Sequence, residues 1–496
     1  MSKPLRVFFI LGWVALLAVF VYRQVHHTTL PPGIEVAAAA LSETEDGEQE
    51  WFGIYALSPD GTKQKIGYAT VLRTETATGK KAEITTYMRL AMQGVTQVMR
   101  TESTFLTGPD YRLQYVDFVM RSDRLKFKVI GTVRNNAIDL EIETAGGTQT
   151  QIVPLPEIPV MPDDIVQFMV DKGGLQVGNS VELPFFDPMT RRYDTAHVRV
   201  AERIEHPMPD GPPIVAFRIV TKMAGAESTS IVDEQGRTLE QNMANVSMVR
   251  EPRQTALTEN WRDKPVDLPE VARVAVQRKI PNAREATKLA VRVSGVDLDD
   301  LPIGTGRQTY ENGVLTVTAA PPPAKGDFVI PYEGDDEDIA VWLKPEPLIE
   351  SRDPAIIKKA REIVPVAVDA VTAARAVADW VYKNLEKRPL VSITSAKDVL
   401  LIRRGDCNEH ASLFTALARA LGLPSRIEVG LVYLNGAFYY HAWNSVYVGR
   451  WVSIDATFGQ FPADATHLRI VSGGLDKQVD LVRVIGAIDL EILEAQ

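Results

Sequence analysis

The sequence predicts an α+β protein: helices packed on an antiparallel sheet near the C-terminus, preceded by β-rich domains and an N-terminal transmembrane helix. Three observations carry this. Strand-like segments separated by turn residues recur from about residue 50 to 250. Apolar spacing becomes helical after Asp353. A helix stopped by Gly422 and Pro424 is followed by the hairpin signal Asn435-Gly436. With 496 residues, 45% of them hydrophobic and 24% charged, the chain has the composition and length of a globular protein of several domains.

At the N-terminus, Lys3 and Arg6 precede an apolar run from Val7 to Tyr22, closed by Arg23. Residues 1–23 therefore read as an uncleaved signal-anchor, single-pass in the inner (cytoplasmic) membrane of a bacterium. The basic flank puts the bulk of the chain on the periplasmic side. Cleavage near the Ala37 to Ala40 run is the rival reading. Residues 24–49, holding Pro31-Pro32-Gly33 and a run of acidic residues, form a flexible stalk. An antiparallel β-rich domain is expected over 50–250, with strands such as Ile66 to Leu72, Gln97 to Thr107, Leu125 to Val133 and Ile214 to Thr221. A small β domain over 265–325 includes Val291 to Gly295 and Gly313 to Thr318, and an acidic connector follows at Glu333 to Asp338. The third unit, 345–475, opens with an amphipathic helix marked by Val371, Ala374, Ala378, Val381 and Leu385. A second helix starts at the box Ser395-Ala-Lys-Asp398, and a β extension over 476–496 ends the chain.

Composition excludes some functions. A formal net charge of −10 and the lack of a basic cluster argue against nucleic acid as a partner. The single cysteine, Cys407, cannot form an intramolecular disulfide and leaves a free thiol to explain. Asp406 as N-cap and Glu409 three residues later form an acidic capping box, so Cys407 opens a helix. A helix N-terminus favours a thiolate and offers N–H groups to an oxyanion, although Asp406 and Glu409 oppose the thiolate. A base is needed. The hairpin beyond the helix carries His441 in mid-strand, and Asp455 lies near the end of the next strand, where antiparallel pairing can bring the two together. That supplies a nucleophile, a base and a group to orient the base. His410, three residues beyond Cys407 on the same helical side, is a competing base, while Trp443 and Trp380 are packing residues or walls of a substrate groove.

Gly405-Asp406-Cys407-x-Glu409-His410-Ala411, then His441-Ala442-Trp443, then Trp451-x-x-Ile454-Asp455-Ala456-Thr457 resemble the three blocks of the transglutaminase-like superfamily. The resemblance covers about 345 to 475. It implies a papain-related α+β fold with Cys407 as nucleophile, His441 as base and Asp455 as the residue orienting His441. Where many relatives have a carboxylate soon after the His-Ala-Trp block, this chain has Asn444-Ser445. The expected activity is acyl transfer from a protein or peptide amide, to water in a peptidase or amidase, or to an amine in a transamidase. Two rivals stand beside it: a degenerate envelope adaptor whose β-rich domain carries the function, and a redox role for the lone thiol. Cys407, His410, His441 and Asp455 match no standard zinc spacing and there is no EF-hand loop, so neither metal nor cofactor is expected.

Overall fold

A computed structural model describes residues 49–496 apart from short segments, the longest being 58–61, 259–265, 268–272, 389–392 and 475–483. The expected anchor over 1–23, and all of the stalk except Gln49, lie outside the described residues. Among the described residues no helix is long and apolar enough to cross a membrane.

Fourteen strands, β1 (Gln49–Leu57) to β14 (Val246–Arg250), build one large antiparallel sheet, to which the two-residue β15 (Val266–Asp267) adds in parallel beside β3 (Gly79–Met92). The chain meanders outward from β1 to β8 (Gly147–Pro154), crosses to β9 (Ser180–Asp187), and walks back until β14 pairs with β1. The alternation is visible along Ala137–Thr144, where Ile138, Leu140 and Ile142 are buried and Asp139 and Glu141 face outward. Asn135 and Asn136 both take positive φ at the turn before that strand, as a tight type I′ hairpin requires. The segment after β8 stitches the sheet across: Leu113 N–H donates to the Pro159 carbonyl and Val160 N–H to that of Pro184.

Beyond this sheet the chain builds a second body around one continuous core that runs from Val274 to Ile492. Part of it is a four-stranded sheet in the order β18 (Gln308–Glu311), β19 (Val314–Thr318), β17 (Lys288–Ser294), β26 (Asp489–Ala495). Segments read separately from sequence, 265–325 and 476–496, thus meet in one sheet. The rest is helices on a second sheet. Four helices, Pro354–Ile363, Ala370–Asn384, Ala396–Ile402 and Cys407–Ala420, are labelled α1 to α4. They adjoin the order β16 (Val274–Ala275), β23 (Ala437–Tyr447), β22 (Ser425–Leu434), β25 (His467–Ser472), with β24 (Trp451–Ile454) pairing the far end of β23, while β20 (Glu386–Lys387) and β21 (Arg404–Gly405) form a short parallel pair of their own. Ser395 and Asp398 form the expected capping box of α3. The large sheet reaches this body at that box. Gln149 hydrogen-bonds Glu350 at 3.2 Å, and Leu348 joins a core cluster of the large sheet.

Candidate active site

Cys407 is the first residue of α4, and the capping box is complete: Asp406 accepts from Asn408 N–H at 3.0 Å, and Glu409 accepts from Asp406 N–H at 2.9 Å. The second carboxylate oxygen of Glu409 is held by the Thr394 hydroxyl at 2.6 Å. Asn444 of β23 ties the helix to the sheet, donating to the Ala411 carbonyl at 3.0 Å and to Thr415 at 2.8 Å. Asn444 is therefore a clamp between the cysteine helix and the sheet.

The edge of β23 opposite β22 is covered by β16 at residues 437–438 and by β24 at 444–447, leaving the stretch between them open. The half-buried Cys407 thiol sits there, against the backbone amide of Ala442, the residue after His441. Burial and then the charge of Asp406 push this thiol well above its usual range, Glu409 and Asp455 add to that, and the Ala442 N–H pulls the other way.

His441 Nε2 lies 2.8 Å from Asp455 Oδ2, with both side chains buried. Donation of Nε2–H to the carboxylate leaves Nδ1 as the lone-pair nitrogen. The imidazole is stacked on Phe458, with centroids 4.9 Å apart, and on Trp443 at 6.1 Å. Asp455 has a second partner: His467 Nε2 reaches the same Oδ2 at 3.0 Å, while His467 Nδ1 lies 3.2 Å from Asp464. Arg284 pairs with Asp464 at 3.1 Å. The result is a buried row of alternating groups, His441, Asp455, His467 and Asp464. Burial opposes charge on Asp455, but His441 and His467 outweigh it and hold its carboxyl far below the ordinary range. Burial likewise disfavours an imidazolium at His467, yet Asp455 and Asp464 on its two nitrogens hold it above the usual histidine value.

Residues 357–456 match the family model described as the transglutaminase-like superfamily, and the match takes in Cys407, His441 and Asp455. The chain carries a transglutaminase-like domain. Among curated proteins none matches the sequence. Several solved structures are similar to it in part, among them the following three. A protein from Cytophaga hutchinsonii, provisionally named a cysteine protease, is 19% identical with a TM-score of 0.28, over 45% of this chain and 80% of that one. A β-barrel-like protein of unknown function from Brucella abortus is 11% identical with a TM-score of 0.33, over 41% of this chain and 94% of that one. A structure from Parabacteroides distasonis, provisionally named a protease, is 12% identical with a TM-score of 0.20, over 74% and 65%.

Within the transglutaminase-like domain the other candidates separate. His410 is fully buried, its Nδ1 lies 2.6 Å from the Asp406 carbonyl, and burial lowers its pKa. It is bound to its own helix, and among the described residues no carboxylate hydrogen-bonds it as Asp455 does His441. Trp443 lies beside His441, edge-on to His467 at 5.1 Å, with its indole N–H on Ser453 at 3.0 Å. Trp380 is half-buried on α2 with Arg403 over its ring at 4.6 Å. Three donor atoms, from His441, Asp455 and His467, lie within 4.8 Å of one another and could hold a cation, but the two hydrogen bonds on Asp455 already account for that spacing. His467, Asp464 and Phe458 escaped the sequence reading. The signal was an Asp464-x-x-His467 pair leading into the strand-like run Leu468-Arg-Ile-Val471.

Proposed function

We propose that Cys407, His441 and Asp455 form the catalytic triad of a thiol acyl-transfer enzyme acting on protein or peptide amides. The observation that carries this reading is the buried 2.8 Å His441–Asp455 bond beside a cysteine that opens a capped helix against the neighbouring amide. Because its surroundings hold the thiol protonated, His441 Nδ1 takes the proton as sulfur attacks the amide carbon. The capping box uses the Asp406, Asn408 and Glu409 amides, so Cys407's own N–H is the helix-start donor left for the oxyanion. Collapse of the tetrahedral adduct breaks the C–N bond, and the His441 imidazolium protonates the departing amine. Water or a second amine, deprotonated by His441, then takes the acyl group from the thioester and returns the thiol.

Asp455 holds His441 in the tautomer this requires, and His467 with Asp464 fixes Asp455 in turn. An N-terminal anchor would place the reaction outside the cytoplasmic membrane. The test is to offer full-length protein and Cys407→Ala a peptide library together with a tagged amine, followed by mass spectrometry. Cys407-dependent chain cleavage, loss of ammonia with uptake of water, or amine incorporation is expected, and each names one acceptor. No such product across broad libraries would return the chain to a binding or adaptor role.

A further inference from the structure

Two large cavities flank the domain. One, of about 390 Å³, lies between the large sheet and α4, and is lined by charges of both signs, Arg191 and Arg192 with Glu346 and Glu409. The other, of about 470 Å³, is different. It collects four guanidinium groups, Arg307, Arg426, Arg450 and Arg469, around a single carboxylate, Glu428, in a chain whose net charge is −10.

Glu428 is already used by Arg426 at 2.9 Å, by Arg469 at 3.9 Å and by the Ser472 hydroxyl. Arg307 has only neutral partners in direct contact, the carbonyls of Ala463 at 2.6 Å, Asp464 at 3.0 Å and His467 at 3.3 Å. Burial holds its pKa down to about 10, with Asp464 and Glu428 opposing that and Arg469 adding to it. Arg450 donates to the Pro321 carbonyl at 2.7 Å. Arg469 donates to the Ile303 and Thr305 carbonyls and to Ser472, so the excess in this cavity is one of positive charge. The Arg426 guanidinium lies over the Trp451 ring at 4.2 Å and 5.7 Å from that of Trp342, and its Nε donates to Glu428. The Ser453 hydroxyl accepts from Trp443 and keeps its own hydrogen to give. Flat guanidinium groups match carboxylates in a bidentate way. The indole walls of Trp443 and Trp451 suit the carbon stems and peptide planes of a chain, and the volume exceeds what a lone inorganic anion would fill.

Position connects this cavity to the triad. His441, Trp443 and Ser445 share one face of β23, and Ser453, across from Ser445 on β24, precedes Asp455 by two residues on the same face. At ~3.3 Å per residue, Ser445 lies about 13 Å along the strand from His441.

We propose that this arginine-lined cavity binds the carboxylates of an acidic peptide segment of the substrate, about four residues from the amide presented to Cys407. This rests on the triad reading above for its link to catalysis, but binding itself can be measured without turnover. The experiment is calorimetric titration of full-length Cys407→Ala protein with N-acetyl-tetraglutamate amide and with its tetraglutamine counterpart, at two ionic strengths.

The glutamate peptide is expected to bind, more weakly at higher salt, and the glutamine peptide not to bind. Arg426→Gln with Arg450→Gln should weaken binding about tenfold or more. Because Arg426 also packs on Trp451, a second variant keeps every arginine. Thr318→Glu places a carboxylate on the cavity rim and should abolish binding while the unfolding temperature stays at the parent value. Equal binding of both peptides, full binding by either variant, or displacement by inorganic phosphate with no glutamate binding would each overturn the proposal. Glutamate binding without any Cys407-dependent turnover in the parent would uphold the site and remove the enzyme. Turnover without glutamate binding would do the reverse.

Discussion

Cys407 has a thiol that its surroundings keep protonated, so its reactivity depends on a partner rather than on the helix start alone. Burial and Asp406 push its pKa up, and the single helpful contact is the Ala442 amide. With His441 present, alkylation by iodoacetamide should be measurable at neutral pH. In His441→Ala, the rate should follow an alkaline titration above the ordinary thiol value of ~8.5. A variant with an unchanged pH–rate profile would show that His441 does not take the proton. His467 acts one step further back. Its two carboxylate partners raise its pKa above the free imidazole value of ~6.5, so the stability they provide is complete below that pH and is lost as pH rises through the folded value. Asp455 has the opposite sign: its depressed value makes its contribution present above the ordinary carboxylate range and lost in acid. In His467→Gln, urea unfolding across pH should lack the alkaline part of the wild-type decline. Its kcat should fall about 10²-fold with KM little changed, since Asp455 is no longer held in place. A purely structural histidine would lower stability and leave the pH dependence of kcat where it was.

At the scale of elements, what decides the site is how closely β25 approaches β22. Gly430 stands opposite His441 on β22, and a Cβ there would come within 2.0 Å of the Leu468 carbonyl oxygen. The register of the β22–β25 pair shifts at this point, between Val429 and Gly430. Gly430→Ala must push β25 away through backbone rather than a pliable side chain, and His467 moves with it. The expected result is a less stable protein whose residual activity has the pH profile of His467→Gln. A Gly430→Ala enzyme with wild-type kcat and pH profile would disconnect β25 from catalysis. These elements were unequally legible in the sequence. The capped start of α4, the Asn435-Gly436 hairpin and the His441–Asp455 pairing follow from local rules of caps, turns and antiparallel neighbours, and each lies within a few residues of its signal. His467 reaches Asp455 through the pairing of β25 with β22, and no local pattern announces which strand takes the outer place in a sheet. Asn444 was legible as a departure from the superfamily pattern but not as a clamp, because its partners, Ala411 and Thr415, lie on another element.

Over the whole molecule, the fold class and the long succession of β1 to β14 were legible because strand alternation and turn chemistry repeat along the chain. The closing pairs were not, since β1 meets β14 and β17 meets β26 across some two hundred residues. The second of these pairs has consequences for the active site. β26 adds Leu490 and Ile492 to the same core that holds α4 and β23. The sheet that β26 completes also bears Arg307, just before β18, which grips the carbonyls of Asp464 and His467. Burial of Leu490 and of Ile492 contributes about 1.5–3 kcal/mol each, a large fraction of the stability of an ordinary domain. The large sheet has its own clusters, linked to this core at Leu348 and Ile393. Leu490→Ala with Ile492→Ala should therefore lower the unfolding temperature of the transglutaminase-like body and its Cys407-dependent activity together. The large sheet should melt where it did before. Calorimetry would show this as one transition moving away from another. A single transition moving as a whole would mean that the two bodies unfold as one, with the Gln149–Glu350 contact and the packing of Leu348 strong enough to couple them.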